Sequence, residues 1–292
     1  MSYFEASART RILGLVDAGT FHEFCPPEMR QTSPHLARLD APLSFDDGVA
    51  VGRARLSGHR ILIAAQEGRF NGGSVGEVHG AKIRGLLDRA MTERPSAVLL
   101  LIDSGGVRLH EANAGLIAIS EIMRALLKIQ AAGIPAFALV GGASGAFGGM
   151  GIVTRLCNEV IMSEQGRLSL SGPEVIETVK GVEEFDSKDR ALVWRVTGGK
   201  LRRAQGEATR LVEDSIPAFR AAAKELMESH FLHPLAEKSL HDLLEDQERL
   251  SERSIEFSDA RDGQAVWDAR LSDSSRVPEI DCEEFNRRLL AK

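Results

Sequence analysis

Three stretches of the chain are apolar at most positions: Ala97-Val98-Leu99-Leu100-Leu101-Ile102, Pro135-Ala136-Phe137-Ala138-Leu139-Val140 and Asn158-Glu159-Val160-Ile161-Met162. Runs this short and this continuous predict strands buried on both faces. Segments apolar on one side lie between them and predict helices over 112–132 and 148–156. The alternation implies βαβ units with parallel pairing, which gather ligands beyond the C-terminal ends of their strands. Upstream, the runs 49–56 and 60–64 flank Ser57-Gly58 and predict a hairpin. A helix over 75–92 follows the break at Gly72-Gly73. Residues 4–24 read as one amphipathic helix carried by Leu13, Leu15 and Val16, with Asp17-Ala18-Gly19 at its end and a turn after it. Beyond about 217 the chain turns helical and strongly charged, as in Glu237-Lys238-Ser239-Leu240-His241-Asp242-Leu243-Leu244-Glu245-Asp246. The expected division is a body over 1–232, the first helix included, and a charged helical tail over 233–292 that docks on the body or on a partner.

Composition narrows the function classes. With 43% hydrophobic and 27% charged residues the 292-residue chain has the balance of a soluble globular protein. A net charge of -6 argues against broad nucleic-acid binding, which needs a basic footprint. No apolar run approaches the roughly 20 residues that span a bilayer, and the N-terminal stretch lacks a signal-peptide core. Cys25, Cys157 and Cys282 form no CxxC pair, so they read as reduced thiols, not as a zinc ribbon or disulfide framework. A cytoplasmic protein without nucleic-acid or membrane partners is expected.

The candidate chemistry sits at two strand-to-helix junctions, Gly105-Gly106 and Gly148-Gly149. A helix start leaves main-chain N–H groups unpaired and carries partial positive charge, and glycine admits a ligand to them. Either pair alone can serve only a tight turn. Two pairs on successive βα units can aim N–H donors at one developing oxyanion, as acyl and enolate chemistry requires. Competing motifs fail inside the sequence. A short-chain dehydrogenase needs a Tyr-xxx-Lys relay, but the only tyrosine is Tyr3. Ala146 and Ile102 break the Gly-x-Ser-x-Gly elbow around Ser144 and Ser104, and no Gly-Lys-Ser/Thr P-loop occurs.

Several stretches, spread in order over about 8–215, resemble the carboxyltransferases that act on acyl-CoA thioesters. They are Ala8-Arg9-Thr10-Arg11-Ile12, Asp17-Ala18-Gly19-Thr20-Phe21, Asn71-Gly72-Gly73-Ser74-Val75-Gly76-Glu77-Val78-His79-Gly80-Ala81-Lys82-Ile83, Asp103-Ser104-Gly105-Gly106-Val107-Arg108-Leu109-His110-Glu111, Phe147-Gly148-Gly149 and Leu170-Ser171-Gly172-Pro173-Glu174-Val175-Ile176-Glu177. The resemblance implies an α/β crotonase-like (ClpP/crotonase) core of ββα units wound as a superhelix, with C-terminal helices. It makes Gly148 and Gly149 the stronger oxyanion donors and Gly105 and Gly106 the opposite wall. A residue larger than Gly149 is then expected to crowd the thioester oxygen and reduce turnover more than folding. Departures narrow the family. The four-cysteine ribbon of the bacterial acetyl-CoA carboxylase β subunit is missing, and Val107 and His110 stand where an alanine and a glutamine are usual. The whole chain is most similar to the β subunits of biotin-independent malonate decarboxylases.

That family implies decarboxylation of a malonyl thioester on an acyl carrier protein to acetyl thioester and CO2. It implies a homologous γ subunit completing the active site, an acyl-carrier subunit with a CoA-like prosthetic group, and an acyl-carrier transferase subunit. It implies no cofactor bound by this chain and no biotin. A carboxyltransferase subunit passing the carboxyl group to biotin, and a non-catalytic scaffold half, remain alternatives. His110 can protonate the enolate carbon or bind a carboxylate, or be a half-exposed histidine at a helix start. His79 reads as structural or interfacial, and Arg108 with Glu111 as a loop brace. Lys200, Arg202 and Arg203 can hold prosthetic-group phosphates or simply form a solvated face. Ser171-Gly172-Pro173 opens a helix with proline at its first position.

Overall fold

The computed structural model describes residues 1–40, 43–233, 239–260 and 262–291. Residues 237 and 238, which open the charged segment, lie outside these. Among the described residues seven strands form one sheet in chain order: β1 (His22–Phe24), β2 (Val49–Leu56), β3 (His59–Gln66), β4 (Ala97–Ile102), β5 (Ala136–Val140), β6 (Glu159–Ser163) and β7 (Arg210–Val212). The first three pair antiparallel and the rest parallel. The expected neighbours β4 and β5 run side by side from Val98↔Ala136 to Ile102↔Val140. At the β2–β3 turn Ser57 and Gly58 both take positive φ, 52° and 83°, a turn whose twist matches that of the strands it joins.

Eleven helices surround the sheet among the described residues: α1 (Ala8–Leu15), α2 (Glu77–Glu93), α3 (Ala114–Ala131), α4 (Gly148–Leu156), α5 (Pro173–Lys180), α6 (Arg190–Thr197), α7 (Gly199–Ala204), α8 (Ile216–Leu232), α9 (Leu240–Glu256), α10 (Gln264–Arg270) and α11 (Cys282–Leu290). Alternation along β4 explains its unbroken apolar run. Val98, Leu100 and Ile102 pack under α2, α3 and α4 with Ile83, Leu126 and Met150. Ala97, Leu99 and Leu101 pack on the other face with Ile12 of α1 and Phe219 of α8. A third cluster joins Leu201 and Leu211 to Val266, Trp267 and Phe285, so α10 and α11 lie against α7 and β7. None of the described helices is long and apolar enough to cross a membrane.

The first helix is shorter than its pattern implied. Ser7 caps α1 by accepting from the Thr10 N–H, the chain turns at Gly19 with φ 72°, and 22–24 become β1 at the sheet edge, His22 opposite Arg53. Three residues are too few for alternation to mark a strand. β7, equally short, left no signal in the sequence.

Arg11 of α1 and Asp103 at the end of β4 form an ion pair, Nη1 to Oδ2 at 2.8 Å, each residue 2% exposed. Arg11 also donates to the carbonyls of Tyr3 at 2.9 Å and Phe4 at 3.2 Å, and lies over the Tyr3 ring. Breaking one side of such a pair leaves a buried charge. Arg11→Met should cost about 3–5 kcal/mol at neutral pH, and Arg11→Met/Asp103→Leu should recover part of it. Urea unfolding of both variants decides. A single variant no less stable than the double would mean that the pair contributes nothing.

Candidate active site

The ladder of the parallel strands continues past their ends and holds the two glycine loops together. Ser104 N–H donates to the Gly145 carbonyl at 2.6 Å and Phe147 N–H to the Ser104 carbonyl at 2.9 Å. On the far side Ala146 N–H donates to the Arg167 carbonyl at 2.8 Å, and Ser169 N–H returns to the Ala146 carbonyl at 3.2 Å. The loops then touch. Gly148 takes φ +57°, and a Cβ there would stand 3.2 Å from the Gly106 Cα. Glycine is required at 148 by both conformation and approach.

The donors differ from those expected. Gly148 N–H is engaged by the Leu170 carbonyl at 2.8 Å, Gly105 N–H by the Gly72 carbonyl at 2.9 Å, and Gly106 N–H faces Ser104 Oγ at 3.3 Å. Among the described residues the N–H groups of Gly149 and Met150, in the first turn of α4, meet no acceptor, and neither does that of Val107 on the opposing loop. Val107 went unnoticed in the sequence because a main-chain donor leaves no mark on its side chain. Position 149 is also not open as expected. A Cβ there would meet Ile119 Cγ1 at 2.6 Å, so it points into the α3–α4 contact. A side chain at 149 disturbs packing first.

Beneath the loops lies a buried polar network. Arg108, 4% exposed, donates to Asp46 at 2.5 Å, to Glu111 at 3.0 Å and to the Ser74 carbonyl at 3.0 Å. Burial alone would lift the Asp46 carboxyl, but the bond and charge of Arg108 hold it below the ordinary carboxylate range. Glu111 accepts the Glu77 N–H at 2.7 Å and so caps α2. The Arg108–Glu111 brace is thus present. His110 stays outside it, its side chain 55% exposed and Nε2 3.8 Å from Glu111 Oε1. His79 is fully buried, with Gln66 Nε2 3.0 Å from its Nε2. Gln66 Oε1 in turn accepts the Asp103 N–H at 3.2 Å. Burial pushes the His79 imidazole down to about 3, so it is neutral.

The side chains of the basic cluster have partners within the fold. Lys200 is 5% exposed, and its Nζ donates to Glu164 at 2.8 Å and to the carbonyls of Val277 at 2.8 Å and Ile280 at 2.7 Å. All three of its hydrogens are used, pinning the C-terminal segment. Arg202 pairs with Glu207 at 2.9 Å and Arg203 donates to Asn286 at 3.2 Å. The sequence placed these cations together, but their partners come from as far as 83 residues away.

A cleft of 550 Å³ opens beside the Arg108 loop, between α2 and α3, floored by Gly80, Ala81, Ala114 and Ala118. It does not include Gly149. The loops around the Gly148–Gly149 junction expose apolar side chains instead: Leu109 is 86% exposed and Leu170 67%. No three His, Cys, Asp or Glu side chains converge on a metal-sized site among the described residues.

A model of the carboxyl transferase domain matches residues 5–195. The malonyl-S-ACP:biotin-protein carboxyltransferase of Malonomonas rubra is 44% identical over 233 residues, which are 75% of this chain and 73% of that protein. A chain of a Pseudomonas malonate decarboxylase hetero-tetramer, solved in complex with malonate, superposes with a TM-score of 0.77 at 40% identity, over 85% of this chain and 90% of its own. A chain of a Pseudomonas malonate decarboxylase hetero-dimer does so with a TM-score of 0.67 at 35% identity, over 86% and 96%.

The buried His79 gives a pH signature. Its unfolded imidazole binds a proton below about 6.5, whereas the folded one stays neutral down to about 3. Between these values the unfolded state holds the extra proton, so stability falls as pH falls, by up to about 1.4 kcal/mol per unit. Urea unfolding at pH 6.5, 5.5 and 4.5 should show a shallower loss for His79→Gln. Parallel lines would mean that His79 does not carry the effect.

Proposed function

The chain belongs to the carboxyl transferase domain family, and from that premise we propose that it is the subunit of a malonate decarboxylase that stabilises the enolate of a malonyl thioester. Its fold is crotonase-like, which turns strand ends and helix starts toward one face. The observation that carries the proposal is the unengaged Gly149 N–H at the start of α4, on a loop pressed against Gly106 through Gly148. In decarboxylation the bond from the α-carbon to the carboxylate breaks, CO2 leaves, and the bond electrons flow into the thioester carbonyl. Charge therefore grows on the thioester oxygen, where preorganised N–H donors stabilise the transition state more than the ground state. Gly149 and Val107 are the donors assigned here. The enolate carbon then takes a proton, giving the acetyl thioester. His110, exposed on the adjoining loop, is the side chain of this chain assigned to deliver it.

The exposed Leu109 and Leu170 support a homologous partner covering the junction, and the two Pseudomonas relatives are hetero-oligomers. The substrate is assigned to an acyl carrier protein loaded by its own transferase, a reading that needs neither biotin nor a cofactor on this chain. Three free thiols support a reducing, cytoplasmic compartment. The identity to the Malonomonas biotin-protein carboxyltransferase favours a second reading, transfer of the carboxyl group to biotin from the same enolate.

The purified complex should convert malonyl thioester to acetyl thioester and CO2 with avidin present. Inhibition by avidin would select the transfer reading instead. Removing the donor itself tests the site. Gly149→Pro eliminates the N–H at a first-turn position where proline is tolerated, and Ile119→Ala makes room for the ring. Relative to Ile119→Ala alone, the double variant should lose about 10²–10³-fold in turnover while still assembling. Near-equal turnover in assembled complexes would remove Gly149 from the mechanism.

A further inference from the structure

At the end of the sheet opposite the glycine loops, the β2–β3 hairpin gathers three arginines. Arg53 and Arg55 are two residues apart on β2 and so share a face, and Arg60 of β3 stands directly opposite Arg55. Like charges facing each other across an antiparallel pair destabilise it. The three line a cavity of 360 Å³ with Thr20, Glu93 and Pro95. Arg55 donates to the Gly58 carbonyl at 2.5 Å, while Arg53 and Arg60 have no ion pair or side-chain hydrogen bond among the described residues. Glu93 is the one carboxylate in the lining, and it already holds Arg89. The C-terminus of α2 ends here and brings only about half a negative charge. Roughly two positive charges are left unbalanced, in a chain whose net charge is -6.

We propose that this cleft binds a phosphorylated small molecule through a phosphate group carrying at least two negative charges. Guanidinium forks match phosphate oxygens in bidentate geometry, and an anion between Arg55 and Arg60 turns their repulsion into two attractions. The cavity is larger than phosphate alone requires, which leaves room for the body of the molecule beside Ala54 and Ile61. The site lies the length of β3, eight residues, from the glycine loops. Its occupant therefore acts on the stability or assembly of the fold, not on the thioester.

The test uses the full chain at low salt, titrated with inorganic pyrophosphate by calorimetry and followed by thermal melting, with sodium chloride at matched ionic strength as the control. Pyrophosphate should bind saturably and raise Tm above the chloride control. Arg55→Gln/Arg60→Gln should weaken binding at least about tenfold. The same variant should melt no lower than the parent without ligand, because a repulsion has been removed. Absence of saturable binding, unchanged affinity in the variant, or an equal effect of chloride overturns the proposal. So does loss of binding on assembly with the partner subunit, which would make the cleft a subunit contact.

Discussion

The Asp103 carboxylate is the point on which the top of the sheet is built. It follows β4, directly before the Ser104-Gly105-Gly106 turn, and is held from two sides, by Arg11 at 2.8 Å and by the Ser144 N–H at 2.6 Å. Gly68 and Gly142 have no Cβ because the carboxylate fills the space one would take, 2.6 Å and 2.2 Å away respectively. One buried group thus fixes the N-terminal helix, the loop after β3 and the loops after β4 and β5 relative to one another. Burial raises its proton affinity even against the charge of Arg11, so the ionised form depends on these partners. A neutral side chain of the same size would keep the shape and lose the attraction between α1 and the sheet. That matters because the two glycine loops touch through main-chain atoms, the Gly148 Cβ position standing 3.2 Å from the Gly106 Cα.

Fold and site were not equally legible in the sequence. The parallel strands could be read because burial on both faces leaves a continuous apolar run, as in 97–102. The hairpin could be read because Ser57-Gly58 suits positive φ. Elements of three residues, such as β1 and β7, were invisible, since pairing with a neighbouring strand makes them and no local pattern is needed. At the candidate site, the glycine pairs marked the two junctions but not which N–H is free. Gly148 lost its donor to Leu170, a residue with no local signal of the pairing. The partners of Lys200 were hidden for the same reason. Three basic residues in a row of four look like a surface, and Glu164 with the carbonyls of Val277 and Ile280 turns one of them inward. Local sequence reports conformational need well and long-range hydrogen bonding poorly.

A site made of main-chain donors constrains the rest of the molecule in a particular way. The N–H groups that matter are those left without partners, and an unpartnered N–H buried from water is costly. They are tolerable when a ligand or solvent reaches them, which requires the start of α4 to lie near the surface. On the proposed reading this accounts for two features at once: Leu109 and Leu170 are exposed around the junction, and the chain needs a partner to exclude water during reaction. Excluding water strengthens the donors, since the same dipole acts more strongly in a low dielectric. Release of CO2 and transfer to biotin then share the enolate and its donors on this side. In the transfer reading proposed above, the acceptor is assigned to the partner across the junction. On that reading the 44% identity to a biotin-protein carboxyltransferase and the likeness to a malonate decarboxylase chain are compatible. On the proposed reading a change of acceptor on one subunit leaves the demands on the other, an oxyanion held by α4 and a loop fixed by Asp103, as they were.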